Sequence, residues 1–264
     1  MDEQQFKDLE AMVRLGEEEK TVITEITDDA KNAVLNIYRL NELAFLNGLC
    51  NGIASVGKDV SAGVEIRADY GYEDSQKLNV AKAETIEIDD VQKVYDKAVK
   101  KPTVLFLDSV SLGRIKNSDS FRSRVANNMG IVLPEGQSYP ALSTERVREF
   151  FKSEWNISLV LGVEKTFEVE GKDGETSNYQ PWINGVLVFS ASPKVGSLVW
   201  TKTVEHTRRS KLADYAEADY ILVSKFGELD PIAEFTKAEA EVLPVINADG
   251  IAVLNINIPV TPAG

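Results

Sequence analysis

The residues able to do chemistry are few and poorly spaced for it. His206 is the one histidine in 264 residues, so a histidine metal cluster and a two-imidazole proton relay are both excluded. A Ser/His/Asp triad is arithmetically possible, but no G-x-S-x-G turn is there to present the nucleophile. His206 stands in the polar run His206-Thr207-Arg208-Arg209 and reads as a surface side chain rather than a general base. Gly171-Lys172-Asp173-Gly174-Glu175-Thr176 has the glycines and lysine of a phosphate loop. It lacks the Walker spacing, the Lys-Ser/Thr pair and the strand-then-helix setting, and so reads as a hairpin tip. Asp89 and Asp90 are adjacent carboxylates, better suited to capping a helix than to acid-base work. Asp108, Trp182 and Trp200 are the one set that could line a small-molecule pocket, a carboxylate among aromatic rings; ordinary core or interface packing is the competing account of both tryptophans. The sequence therefore nominates no catalytic residue, no cofactor-binding residue and no metal ligand, and implies no cofactor.

Composition narrows the function classes further. The formal net charge is -13, a field that repels nucleic acid at long range and argues against a sequence-reading role. A wall facing packed DNA is a different matter, because weak attachment is an advantage there. Three basic clusters interrupt the acidity: Lys97, Lys100 and Lys101; Arg114, Lys116, Arg122 and Arg124; Arg208, Arg209 and Lys211. Each is either solvated charge or a docking point for the acidic face of another copy. The one cysteine, Cys50, excludes an intrachain disulfide and a cysteine-rich metal site and is expected as a reduced, partly buried thiol. The start MDEQQFKDLE has neither the basic residues nor the apolar run of a signal peptide. No apolar stretch approaches the roughly 20 residues needed to cross a bilayer, so a product of the reducing cytosol is expected.

The elements that must position these residues are legible from periodicity. Ala30, Ala33, Val34, Ile37, Leu40 and Ala44 recur at three- and four-residue steps, which predicts a long helix from Asp28. Gly48 and Gly52 stand where it should stop. Ahead of it, 2–19 reads as a short acidic helix, and the β-branched run Thr21–Ile26 as a strand or extended arm. Period-two alternation from Lys58 to Tyr72 predicts a half-buried strand ended by Gly71. A helix follows over 88–100, with Asp89 or Asp90 as cap, and then the buried strand Val104–Leu107. Ser109 or Ser111 would cap the next short helix, and further helices are expected over 121–128 and from Ser143 or Thr144 to Trp155. Strands are expected over 156–163, on both sides of the 171–174 turn, over 185–190, 198–205 and 220–225, and over 251–258 after the turn Asp249-Gly250. A short helix is expected after Asp230-Pro231. Helices concentrate in the first two-thirds and strands are dispersed without βαβ alternation, which is an α+β fold.

From about residue 28 onward the chain resembles the lambda-type major capsid proteins of tailed phages, the head protein E family, which share the Hong Kong 97 capsid fold. The resemblance rests on the long helix NAVLNIYRLNELAFLNGLCNG, the strand VEIRADYGY, the unit DDVQKVYDKAVKKPTVLFLDS, the later DSFRSRV and the closing run GELDPIAEFTKAEAEVLPVINADGIAVLNINIP, in that order. It implies a short N-terminal arm over 1–27, a peripheral domain with the spine helix over 28–102 and 201–264, and an axial domain over 103–200. The arm is shorter than the arm and extended loop usual in that family. The implied function is structural: self-assembly through pentamers and hexamers into an icosahedral shell, not an enzyme, localised in the virion after synthesis in the bacterial host cytoplasm. The implied partners are other copies of the chain, then scaffold, portal and decoration proteins, and packaged double-stranded DNA by non-specific contact; no membrane is implied. Two other readings compete: a small-molecule enzyme or ligand-binding α+β protein, and another virion protein such as a tail-tube or head-completion component.

Overall fold

The computed structural model describes residues 19–56, 66–80, 85–131, 134, 137–170, 176–229 and 232–256. The expected acidic helix over 2–19 and the expected 171–174 turn lie outside the described residues, apart from Glu19. The long helix is present and longer than expected: α1 spans Glu19–Asn51, on the order of 50 Å. The run Thr21–Ile26 is therefore helical, a correction to the expected strand. β-branched residues lose only a few tenths of a kcal/mol each in a helix, and extending an existing helix avoids the cost of a new nucleus. At the other end Gly52 takes a left-handed φ of +77° and its N–H donates to Gly48 O at 2.8 Å. A Cβ there would sit 2.7 Å from the Tyr72 ring, so the stop needs glycine on two counts.

Strands β1 (Ile53–Val56) and β2 (Ile66–Asp69) follow and pair antiparallel. The expected 58–72 strand thus survives as its second half among the described residues, and β1 was not foreseen. Then come β3 (Lys77–Asn79), α2 (Ile88–Lys97), β4 (Val104–Leu107), α3 (Ser109–Asn117), α4 (Asp119–Asn128), α5 (Thr144–Trp155) and β5 (Ser158–Leu161). The antiparallel ribbon β6 (Phe167–Glu170) and β7 (Thr176–Tyr179) forms the two arms of the expected hairpin. The rest is β8 (Val186–Ser190), β9 (Gly196–Thr201), the short α6 (Val204–Thr207), β10 (Ala213–Ala218), β11 (Ile221–Leu229), β12 (Ile232–Glu239), β13 (Glu241–Ile246) and β14 (Ile251–Asn255).

Two caps differ from expectation. At α3 neither serine caps; Asp108, extended at φ -83° and ψ 167°, accepts from Ser111 N–H. At α2 the cap position is Glu87 with no side-chain bond, and Asp89 and Asp90 lie in the first turn, where the helix dipole favours negative charge. The Ile88 N–H is satisfied instead by Ser120 Oγ at 3.1 Å. At α5 Ser143, one of the two expected cap candidates, does cap, and Asn156 closes the helix in the left-handed region.

The chain divides into two compact units, Met1–Glu42 with Leu198–Pro244, and Leu43–Ser197 with Val245–Gly264. The second holds a mixed five-stranded sheet in the order β3-β14-β8-β4-β5. Every residue of β8 is buried, as its unbroken apolar run requires. Leu105, Leu107, Leu187, Phe189, Ala252 and Leu254 join one core with Val91, Val94, Ile115, Phe121, Val147 and Phe151 from the helices. Aromatic contacts fill it: Phe121 stacks on Phe151 at 5.8 Å, and Trp155 lies 5.1 Å from Phe151. The buried indole is not left unpaired, since Trp155 Nε1 donates to Gln92 Oε1 at 2.8 Å.

The first unit is built on the antiparallel sheet β10-β11-β12. Ala30, Val34 and Ile37 of α1 pack on Tyr220, Ile221 and Val223, which uses the apolar stripe read from the sequence. β12 corrects the expected short helix after Pro231. Ile232–Glu239 is rich in helix formers, yet each residue pairs in register with β11, from Leu229↔Ile232 to Leu222↔Glu239; tertiary pairing overrides propensity. The expected 198–205 strand ends at Thr201, because Thr203 Oγ1 accepts from His206 N–H and starts α6.

Candidate functional site

Strand alternation sets one row of polar side chains across the first unit's sheet. Tyr215, Ser224 and Lys237 are direct cross-strand neighbours on β10, β11 and β12. Onto this row α6 and its cap lower Thr203, Glu205 and His206. Lys237 Nζ lies 2.6 Å from both Glu205 and Glu239, Tyr215 OH donates to Glu205 Oε1 at 3.1 Å, and Thr203 Oγ1 donates to Glu239. The Lys237 hydrogen bond holds the Glu205 carboxyl below its ordinary range, and the Glu205 and Glu239 carboxylates hold Lys237 above its own. Beside the row opens a cavity of about 610 Å³, whose walls include Arg208, Tyr215, Glu239 and Glu241. His206 belongs to this group and is more enclosed than the surface histidine expected, with Nε2 3.6 Å from Glu217 and 16% of its side chain exposed. Glu217 also binds Arg209. The chemistry is that of mutually neutralising charges, which hold a sheet face together.

A second feature of the same unit is aromatic. Tyr220 lies edge-on to Tyr38 at 5.9 Å and stacks with Trp200 at 6.3 Å, while Asn41 Nδ2 donates to its hydroxyl at 3.0 Å. Tyr220 is buried, but Trp200 remains 51% exposed, and Leu198 and Val199 beside it are exposed as well.

In the second unit Asp108 is fully buried. Its carboxylate accepts from Ser111 N–H at 2.7 Å, from Ser111 Oγ at 2.8 Å and from Gly185 N–H at 3.0 Å. That ties the start of α3 to the start of β8, a use that satisfies a buried charge. Trp182 is buried in the same unit. The set Asp108, Trp182 and Trp200 therefore consists of a helix cap, a core indole and a half-exposed indole stacked on Tyr220. Burial pushes the Cys50 thiol up to about 12, in line with the inert thiol expected. Sequence reasoning missed Glu164, which receives Ser109 N–H at 2.9 Å and the Ser109 hydroxyl; no local pattern links residues 55 apart.

The basic clusters are not alike. Lys101 is spent locally, donating to Tyr95 O at 3.0 Å and lying over the Tyr95 ring. Arg122 bonds Asp119 and Tyr139 O, both at 2.6 Å, and Arg124 lies 3.8 Å from Glu154. Arg209 binds Glu217 and covers the Tyr215 ring, whereas Arg208 and Lys211 beside it are exposed. Among the described residues no group of three or more His, Cys, Asp or Glu side chains could hold a metal ion, and no helix is long and apolar enough to cross a membrane.

No protein-family model and no curated protein matches the sequence. Among solved structures, a protein assigned as the capsid protein of an Escherichia coli prophage aligns at a TM-score of 0.59 and 13% identity, over 89% of this chain and 67% of its own. A phage-related protein of Bordetella bronchiseptica gives a TM-score of 0.38 at 12% identity over 70% of this chain and 57% of its own. The SrpI encapsulin of Synechococcus elongatus gives 0.31 at 13% identity over 74% and 57%. The last two scores are too low to define a common fold; the first is high enough, and extends over nearly the whole chain.

Proposed function

Because the chain has the Hong Kong 97-type α+β capsid fold, we propose that it is the major capsid protein of a tailed phage or prophage, of the lambda head protein E kind. Copies of it assemble through pentamers and hexamers into an icosahedral shell that encloses the double-stranded DNA genome. The observation that carries this reading is the alignment with a prophage capsid protein over 89% of the chain. The exposed apolar side chains Leu198, Val199, Trp200 and Leu212 support it, as they suit interfaces rather than a solvated monomer. So does the net charge of -13, which keeps the inner wall from gripping packed DNA.

On this reading 1–27 is the arm, 28–102 with 201–264 the peripheral domain and 103–200 the axial domain. The protein works by geometry rather than by turnover, in the virion, after synthesis in the host cytoplasm. Its partners are its own copies first, then scaffold, portal and decoration proteins, with non-specific contact to DNA and none to membrane. Light scattering across a concentration series tests it. Masses of five and six times 29.1 kDa are expected; a monomer at every concentration, with a melting point raised by a small molecule, would refute the reading.

A further inference from the structure

The loop 208–212 presents a leucine to solvent on a rigid mount. Ser210 N–H donates to Tyr215 OH at 2.9 Å and Leu212 N–H donates to Ser210 Oγ at 3.1 Å. Arg209 is clamped between Glu217 and the Tyr215 ring. These bonds hold the loop, yet Leu212 at its end is 88% exposed, with Lys211 exposed beside it. A fixed loop has already lost the conformational freedom that association would otherwise cost. It forms a preorganised knob: an apolar tip with a cationic collar.

The same unit carries a matching surface. Trp200, 51% exposed, and Tyr38, 38% exposed, flank the buried Tyr220 ring. Exposed Asp219 stands in the turn before Tyr220, and Glu42 lies one turn on from Tyr38 along α1. Lys202, two residues after Trp200, lies close enough to Glu217 to help lower that carboxyl. Indole and phenol faces attract cations and take up apolar side chains. Trp and Tyr are also the residue types that anchor interfaces.

Placement decides who the partner is. Leu212 leads into β10, and Asp219 with Tyr220 leaves it, so the leucine tip and the Tyr220 ring lie at opposite ends of a six-residue strand, about 20 Å apart. The Leu212 tip cannot reach that ring within its own chain. We propose that the knob of one copy, Leu212 with Lys211, docks on the aromatic surface of a second copy, Tyr38 and Trp200 flanking the buried Tyr220 ring, head to tail. The proposal rests on the capsid reading and specifies one of its contacts. Different patches meeting across the joint make the contact heterologous, which builds rings or open chains instead of closed two-fold pairs.

Complementation between two variants tests it. Leu212→Asp spoils the knob and leaves the aromatic surface; Trp200→Ala spoils the aromatic surface and leaves the knob. Each change is at an exposed side chain, and unchanged thermal melting checks the fold. Each variant alone should associate about thirtyfold more weakly than the wild type, the loss usual for an anchor residue. An equimolar mixture should form one-to-one pairs that grow no further, read by analytical ultracentrifugation. Variants that associate like the wild type, or a mixture that forms no pairs, would overturn the proposal while leaving the capsid reading intact. A wild-type chain that never associates would overturn both.

Discussion

Replacing Asp108 by alanine removes, from one dry point, the two oxygens that accept three hydrogen bonds. The carboxylate holds Ser111 N–H at 2.7 Å, the Ser111 hydroxyl at 2.8 Å and Gly185 N–H at 3.0 Å. Losing an N-cap costs about 1 kcal/mol, and each further buried donor left without a partner costs about 1–3 kcal/mol. The expected destabilisation is about 3–7 kcal/mol, or a fall in melting midpoint on the order of 10–20 °C for a unit of this size. Asp108→Asn should fall between, since the amide keeps one acceptor oxygen but sets its NH2 against a donor. Tryptophan fluorescence during thermal or urea unfolding is a suitable assay, because Trp155 and Trp182 are buried in the same unit. An Asp108→Ala protein that melts with the wild type would refute the reasoning: the carboxylate would then be no structural tie, and a ligand-binding role for it would regain weight.

Gly52→Ala should cost more than about 1 kcal/mol, because φ is +77° and the new Cβ would meet the Tyr72 ring at 2.7 Å; an unchanged denaturation midpoint would contradict the account of the α1 stop. The Glu205–Lys237–Glu239 group makes stability pH-dependent at the acid end. Glu205, hydrogen-bonded by Lys237, titrates below the ordinary carboxylate value in the folded state, so its contribution is complete above that ordinary value and is lost as pH falls through the lower folded pKa. Lys237, held above the ordinary lysine value by the Glu205 and Glu239 carboxylates, has its contribution in place below that ordinary value and loses it only as pH rises past the folded pKa. Lys237→Met should therefore flatten the loss of stability below about pH 4.5, by less than about 1 kcal/mol for side chains this exposed; a melting-point series against pH checks it. Cys50, buried and pushed up to about 12, should resist thiol reagents at pH 8 until the protein is unfolded; rapid labelling of the native protein would contradict its placement.

The elements most legible in the sequence are those whose local pattern and tertiary role agree. Val104–Leu107 reads as a buried strand and is one, and of the two cap candidates Ser143 and Thr144 the first is the cap. The stripe Ala30, Val34, Ile37 reads as a core face and meets Tyr220, Ile221 and Val223. Reading fails where a distant partner decides. Ile232–Glu239 has the composition of a helix and becomes a strand because β11 offers a full register. Thr21–Ile26 has the composition of a strand and is carried into α1. The serines after β4 looked like caps, but Asp108 could also reach Gly185, 77 residues away. The polar row on the β10-β11-β12 sheet draws on residues from Thr203 to Glu239, and nothing local announces it. The basic run 208–212 is visible as charge, whereas the bonds to Tyr215 and Ser210 that hold it and the exposure of Leu212 are not.

The central claim is that this chain builds shells, and negative-stain electron microscopy of the concentrated protein tests it most directly. Closed shells, or uniform pentameric and hexameric rings, are the expected result. A field of dispersed monomers, or stacked tubular rings of one size, would contradict it.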